Sequence, residues 1–165
     1  MTTVGQYVVQ GQNVILGKDV VIENFVEIQD NVTIGDRTVI RSFARIGKGC
    51  TIGPDNTIKC GAILGPNVKT MDRVFIGPNT VFVSGKGKEA GSLAMNGAWI
   101  GANCVIEPGC VVGSLTVLGA NSLLKTDMSE GLWFGTPAKF IRPIPWEELQ
   151  KLNIPTVLEE ANFDK

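Results

Sequence analysis

The chain has 165 residues, of which 44% are apolar, and a net charge of −1. This length gives one domain with room for a substantial core, and the small charge gives no electrostatic case for binding nucleic acid or an anionic membrane. No segment approaches the roughly eighteen apolar residues of a membrane span. Because the first residues also lack the pattern of a secretory signal, we expect a cytoplasmic protein.

Apolar residues recur every six positions along most of the chain. From position 4 to position 124, with the segment after Phe82 left out, 17 of 19 such positions are apolar, where composition alone would give about eight. Glycine often follows directly, and a small or β-branched residue stands four positions later. A period of six does not fit a helix of 3.6 residues per turn, but it keeps strand alternation in phase. The pattern therefore predicts an all-β solenoid, a parallel β-helix of hexapeptide repeats.

The period is interrupted once, between Phe82 and Ile100. The intervening segment is rich in Gly, Lys and Ser, and the old register resumes after it. We predict one protruding loop excursion over residues 83–97. Long loops on a rigid scaffold commonly carry binding residues, although this one could also be filler.

The repeat ends after Lys125. A mixed apolar and basic segment follows, and then a short helix is predicted, with Pro145 near its start and Pro155 beyond its end. Such a helix most simply caps the open end of the solenoid. The predicted organisation is a β-helix domain over residues 1–142 and a capping helix and tail over residues 143–165.

The four cysteines do not form a metal site or a disulfide pattern, since none lies in a CxxC pair and the chain has no histidine. Cys50, Cys104 and Cys110 fall in the small inward phase of the repeat, which predicts buried, reduced thiols. Cys60 is out of that phase, so its role is open. We expect a functional site without metal.

Three features together resemble a known family: the repeat itself, the run Gly-Ala-Trp-Ile-Gly-Ala-Asn at 97–103, and Gly-Thr-Pro-Ala-Lys at 135–139. They resemble the hexapeptide-repeat acyltransferases, which have a left-handed β-helix fold, over about residues 4 to 142. The stretches 25–35 and 40–42 are similar to the branch that acts on nucleotide-linked amino sugars. The resemblance implies a homotrimer with active sites in the clefts between subunits and acetyl-CoA as the acyl donor.

The acetyl-CoA site can be placed by the same resemblance. Ala102 and Ala120, each after a corner glycine, are similar to the positions where the family binds the pantetheine arm through backbone amides, and Pro137 belongs to the family's late motif. The phosphates need cations, for which the candidates are Lys125, Lys139 and Arg142. These three charges could equally be solvated surface groups.

The chain departs from the family at the catalytic base. Most O-acetyltransferases of this kind use a histidine, and Phe43 stands where relatives often have one. A sugar hydroxyl needs a positioned base, whereas an amine with a pKa of about 8 is already partly neutral at pH 7. Transfer to an amine is therefore favoured. Candidate helpers are Ser84 and Asn96 as hydrogen-bond partners and Glu89 as a base, although all three could be ordinary loop residues.

The sequence thus predicts an acetyl-CoA-dependent N-acetyltransferase acting on a nucleotide-linked amino sugar, in the biosynthesis of surface glycans such as lipopolysaccharide. Two alternatives remain open. One is a catalytically silent β-helix used for assembly, which the missing histidine favours. The other is an N-acyltransferase that uses succinyl-CoA.

Overall fold

In a computed structural model, which describes residues 1–85 and 91–152, the chain winds into a three-sided prism of about seven coils. Each coil contributes one short strand to each of three parallel sheets. The strands are β1 (Thr3–Val4), β2 (Val9–Gln10), β3 (Ile15–Leu16), β4 (Val21–Ile22), β5 (Glu27–Ile28), β6 (Thr33–Ile34), β7 (Val39–Ile40), β8 (Arg45–Ile46), β9 (Thr51–Ile52), β10 (Thr57–Ile58), β11 (Ile63–Leu64), β12 (Lys69–Thr70), β13 (Phe75–Ile76), β14 (Val81–Phe82), β15 (Leu93–Ala94), β16 (Trp99–Ile100), β17 (Val105–Ile106), β18 (Val111–Val112), β19 (Thr116–Leu118), β20 (Leu123–Leu124), β21 (Gly131–Gly135) and β22 (Ala138–Arg142).

Sheet A has nine strands and begins with β1, sheet B has seven and begins with β2, and sheet C has six and begins with β3. We name the corners where the chain passes from one sheet to the next the AB, BC and CA edges. The second residue of a regular strand points inward, so Ile22, Ile40, Ile58 and their equivalents form one buried core. The predicted left-handed β-helix of hexapeptide repeats is confirmed.

The corners explain the glycine phase of the repeat. A Cβ on Gly35, directly after an inward residue, would lie 2.5 Å from the backbone nitrogen of Pro54 in the next coil. Glycine is therefore required there because neighbouring coils approach closely. The left-handed turn itself falls two residues later, where Asn and Asp are frequent; Asn31 has φ +58° and Asn67 has φ +59°.

The excursion is shorter than predicted. Leu93 and Ala94 form a regular strand that pairs with β12 and β18 in sheet C, and Ala94 is fully buried. Ala94 follows Phe82 by twelve residues instead of six, so the insertion amounts to one repeat and leaves the register intact. The predicted span 83–97 was too long because the hexad before Ile100 has Ala, rather than a large apolar residue, at its inward position.

The segment after the repeat forms a β-hairpin that the sequence did not predict. Strand β21 pairs in parallel with β19, and β22 folds back on β21 through a cis peptide bond between Thr136 and Pro137. The predicted short helix is present as α1 (Trp146–Lys151), which follows Pro145 and buries Leu149. The division into two domains stays a prediction.

The thiols lie as predicted: Cys50, Cys104 and Cys110 are buried and reduced, and Cys60 is exposed. Burial raises the pKa of the Cys50 thiol to about 11 and also raises that of Cys104. In the described part of the chain, no helix is both long and apolar enough to cross a membrane.

One asparagine lies inside the core. The side-chain amide of Asn56 donates to the carbonyls of Gly53 and Met71, at 2.6 and 2.8 Å, and its Oδ1 accepts from the backbone N–H of Val74 at 2.8 Å. Valine fills the equivalent position at Val20 and Val74, which lie on the same edge. The amide therefore serves three backbone groups. A valine would leave the Met71 carbonyl and the Val74 N–H without a partner, whereas the Gly53 carbonyl would still accept from the Thr38 hydroxyl at 2.8 Å.

We expect Asn56→Val to fit sterically and yet to lower the free energy of unfolding by about 2–4 kcal/mol, because buried groups lose their partners. Chemical denaturation measures the effect. The control is Thr57→Val on the outer face, which should stay within about 0.5 kcal/mol of the parent. Equal stability of the two variants would contradict this account of Asn56.

Candidate functional site

Two backbone amides lie open in consecutive coils at the AB edge. The N–H groups of Ala102 and Ala120 have no acceptor among residues 1–85 and 91–152. Two of the equivalent amides lower on the same edge are occupied: Asn24 Oδ1 accepts from Gln6 at 2.8 Å, and Glu23 Oε2 accepts from Ser42 at 3.0 Å. Consecutive coils are roughly 4.8 Å apart, so the edge presents two donors in a row.

Side chains inside the prism hold these two amides outward. Thr80 Oγ1 donates to the carbonyl of Gly101 at 2.7 Å, and Cys104 Sγ donates to that of Gly119 at 3.2 Å. In a trans peptide the carbonyl and the following N–H point in opposite directions. Because both carbonyls are held by interior groups, the N–H groups of the following residues, Ala102 and Ala120, face solvent.

The hairpin tip is fixed beside these amides. Ser122 Oγ accepts from the backbone N–H of Gly135 at 3.0 Å, and Thr136 Oγ1 donates to the carbonyl of Asn121 at 3.2 Å. The ring of Phe134 lies over Gly119, where a Cβ would come within 2.5 Å of its Cδ2. Pro137 is therefore placed at the AB edge, next to Ala120.

The three candidate cations do not lie together. Lys139 is exposed and pairs with Phe134 across the hairpin, near its tip. Arg142 lies about 10 Å further along β22, where it forms a bidentate ion pair with Glu148 at 2.7 and 2.9 Å; this contact raises the pKa of Arg142 and lowers that of Glu148. Lys125 follows β20 at the BC edge and lies 3.6 Å from Glu107.

The catalytic candidates are also separated. Ser84 is exposed at the start of the excursion, on the BC edge, whereas Asn96 lies beyond β15 on the CA edge. The side chain of Asn96 is already engaged, because its Oδ1 accepts from the backbone N–H of Asp72 at 3.0 Å. Within one subunit Ser84 and Asn96 therefore do not form one site. Glu89 lies outside the described residues.

A groove on the outer face of sheet B was missed by the sequence analysis. It has a volume of about 340 Å³, and Ser84 lies at its rim. Its apolar wall is formed by Ile63, Val81 and Val83, and its polar groups include Gln29 and Arg45. The signal was available, since Arg45, Ile63 and Val81 are spaced by the 18 residues of one coil and share the outward phase of the repeat.

Position 43, where the family resemblance leads us to expect a histidine, lies on an aromatic stack. Phe43 is exposed at the AB edge and stacks on Phe25, with ring centroids 5.1 Å apart. Beside it, the Glu23 carboxylate pairs with Arg41 and accepts from Ser42, and these contacts lower the pKa of Glu23. A carboxylate with a lowered pKa is a weak base, so Glu23 does not replace the missing histidine.

Among the described residues, no three His, Cys, Asp or Glu side chains come together as a potential metal site.

Comparisons with solved structures identify shared folds. A putative acetyltransferase from Bacillus cereus has a TM-score of 0.70 at 20% identity, over 92% of this chain and 89% of the other. The UDP-N-acetylglucosamine O-acyltransferase of Moraxella catarrhalis has a TM-score of 0.71 at 17% identity, over 92% and 71%. A variant of the N-acyltransferase AntD from Bacillus cereus, in complex with dTDP and coenzyme A, has a TM-score of 0.58 at 19% identity, over 92% and 88%.

Two family models match the sequence. The model described as "GMPPB C-terminal domain" matches residues 1–90, and the model described as "Bacterial transferase hexapeptide (six repeats)" matches residues 95–126. No curated protein sequence matches the chain. The first model spans more than half of the chain, which therefore belongs to the family of that C-terminal domain and, through its later coils, to the hexapeptide-repeat transferases.

Proposed function

We propose that this protein transfers an acetyl group from acetyl-CoA to the amine of a nucleotide-linked amino sugar in surface glycan biosynthesis. The observation that carries the proposal is the pair of outward amides at Ala102 and Ala120. The pantetheine arm of acetyl-CoA is long and narrow and contains two amide groups. Two donors one coil apart on a straight edge suit its carbonyl acceptors.

The hairpin supplies the rest of the proposed donor site. Its tip, with Pro137, closes one end of the edge, and Lys139 is exposed beside it for a phosphate. Arg142 and Lys125 are less suited, because the first pairs with Glu148 and the second lies across sheet B near Glu107. We therefore assign the phosphate contact to Lys139.

The proposed chemistry depends on positioning. The neutral amine attacks the thioester carbonyl carbon, the new C–N bond forms, and the C–S bond breaks. The departing CoA thiolate then accepts the proton that the amine gives up. Holding two reactants in a productive geometry lowers the barrier without a strong protein base. This agrees with the absence of histidine from the sequence and the lowered pKa of Glu23.

The proposed assembly is a homotrimer with acyl transfer in the clefts between subunits. In a cleft, groups on different edges of two neighbouring chains can face each other, as the separated Ser84 and AB edge require. Ser84 stays a candidate hydrogen-bond partner to the acceptor, and Glu89 a candidate base. The AntD variant named above was solved with dTDP and coenzyme A, a ligand pair that fits the proposal.

Calorimetric titration with acetyl-CoA and with succinyl-CoA, on protein whose mass is measured by light scattering, tests the function directly. Micromolar binding of acetyl-CoA by a trimer is expected. Preference for succinyl-CoA would replace the proposed donor, and absence of binding by folded protein would favour the silent assembly subunit.

The amide of Ala102 can be removed without changing the corner. Pro78 occupies the equivalent position one coil below, so the fold accepts proline there. Ala102→Pro should raise the Kd for acetyl-CoA about fivefold to tenfold, which corresponds to one lost hydrogen bond. The control is Ser114→Pro on the CA edge, where Pro54 stands at the equivalent position three coils below. Equal affinities in the two variants would remove Ala102 from the donor site.

The two lysines provide a matched pair. Lys139→Ala should raise the KM for acetyl-CoA about tenfold and leave the KM for the acceptor nearly unchanged, because a phosphate contact is lost. Lys125→Ala should change neither value. Steady-state kinetics with each substrate varied in turn measures both KM values. A larger rise in the KM for acetyl-CoA in Lys125→Ala than in Lys139→Ala would assign the phosphates to the BC edge.

The pH profile distinguishes a substrate amine from an enzyme base. If the amine acts unaided, kcat/KM should rise with pH through the pKa of the acceptor, because only the neutral amine attacks. With acceptors whose amines differ in pKa, the inflection should move with the acceptor. An additional inflection near pH 4 to 5 that disappears in Glu89→Gln would instead establish a carboxylate base.

A further inference from the structure

The AB edge carries an aromatic stack at the end opposite to the open amides. Tyr7, Phe25 and Phe43 occupy the same corner position in three consecutive coils. Their ring centroids are 5.0 and 5.1 Å apart with nearly parallel planes, and the side chains are 72%, 48% and 64% exposed. Phe25 covers one face of the Phe43 ring. The other face is turned along the edge, in the direction of Ala102, and can serve as a stacking platform.

The next position in this column is a glycine. A Cβ on Gly61 would meet only the side chain of Asn79, with Oδ1 at 2.4 Å and no atom of Phe43 within 4 Å. The edge therefore contains a slot, which we define as the space over Gly61 between the ring face of Phe43 and the amide of Asn79. Phe43 and Asn79 belong to coils on either side of the coil that carries Gly61, so one layer of the column has no side chain. A planar ring in this layer would continue the stack.

A cation lies close to the slot in sequence. Lys59 precedes Gly61 by two residues, is half-buried, and has its Nζ 5.7 Å from the ring centroid of Phe75. It forms no ion pair with any residue in the described ranges. The neighbouring Arg41 is neutralised by Glu23. The slot thus combines the ring of Phe43, the amide of Asn79 and the ammonium of Lys59, which has no carboxylate partner among the described residues. These groups suit a planar heterocycle that carries phosphate.

We propose that the slot over Gly61 binds the base of the nucleotide-linked acceptor, with Lys59 facing its phosphates. This inference rests on the proposed function, because it names the part of the acceptor that the AB edge recognises. Phe43 supplies stacking, and Asn79 offers both a donor and an acceptor to the edge of the base. The nucleotide and the pantetheine arm then occupy opposite ends of one edge.

Calorimetry with UDP, dTDP and GDP, without any sugar, tests the slot on the intact protein. At least one should bind, and Gly61→Asn, which fills the slot, should weaken it tenfold or more. Asparagine tolerates the left-handed backbone at Gly61, which has φ +68°. The control is Gly49→Asn on the BC edge, where Asn67 Oδ1 lies at the same 2.4 Å from the added Cβ; it should bind as the parent does.

A second pair of variants separates stacking from loss of structure. Phe43→Leu should weaken the nucleotide about tenfold, while Tyr7→Leu, at the far end of the stack, should leave it unchanged. Lys59→Met should weaken the nucleoside diphosphate but not the free nucleoside. Equal binding by Gly61→Asn and the parent, or equal effects of the two leucine variants, would overturn the slot.

Coenzyme A also carries a nucleotide, so its adenine is the competing occupant. The proposal requires the nucleoside diphosphate to bind CoA-saturated protein with an unchanged Kd. Competition between the two would assign the slot to coenzyme A and overturn the inference. If acetyl-CoA binds and no nucleoside diphosphate does, the slot fails while the donor site stands; if neither binds, the proposed function fails as well.

Discussion

The structure depends on the close approach of successive coils, which pairs each residue of the prism with one in the next coil, 18 positions away or, across the excursion, 24. Backbone hydrogen bonds join each coil to the next throughout the prism, and the corner glycines allow the approach. Side chains with the same phase must therefore stack. The pairs Arg37–Asp55, Arg41–Glu23 and Arg45–Glu27 are each 18 residues apart and each form an ion pair. These exposed pairs contribute little stability one by one, but they show that the outer surface is organised in columns.

This constraint explains what the sequence could and could not predict. The inward apolar positions could be recognised because large residues such as Ile40 and Ile58 occupy nearly all of them. The end of the excursion was not, since Ala94 is too small to stand out from a segment rich in Gly and Ser. The hairpin was also missed: its pairing depends on a turn between Thr136 and Pro137 and on contacts with Asn121 and Ser122, which no periodicity encodes.

At the candidate donor site, the sequence likewise does not predict the direction in which single backbone amides point. A resemblance could indicate Ala102 and Ala120, but the direction of their amides depends on which interior groups hold the preceding carbonyls. Cys50 makes the same kind of contact with Gly65 at 3.1 Å, yet Pro66 follows and offers no N–H. The interior hydrogen bond is thus a general device of the fold. A donor site arises only where the next residue is small and has a free amide.

Phenylalanine at position 43 fits the proposed transfer to an amine once the edge is viewed as one column. A base at this corner would matter for a hydroxyl acceptor, whereas an amine needs to be held at the thioester in its neutral form. An aromatic ring at the same corner can hold the substrate without changing any protonation state. Because Phe25 stacks beneath it, the ring of Phe43 is supported on one face and available on the other. Under the proposed function, Phe43 thus supplies no base at this corner and instead helps to orient the acceptor on which transfer to an amine depends.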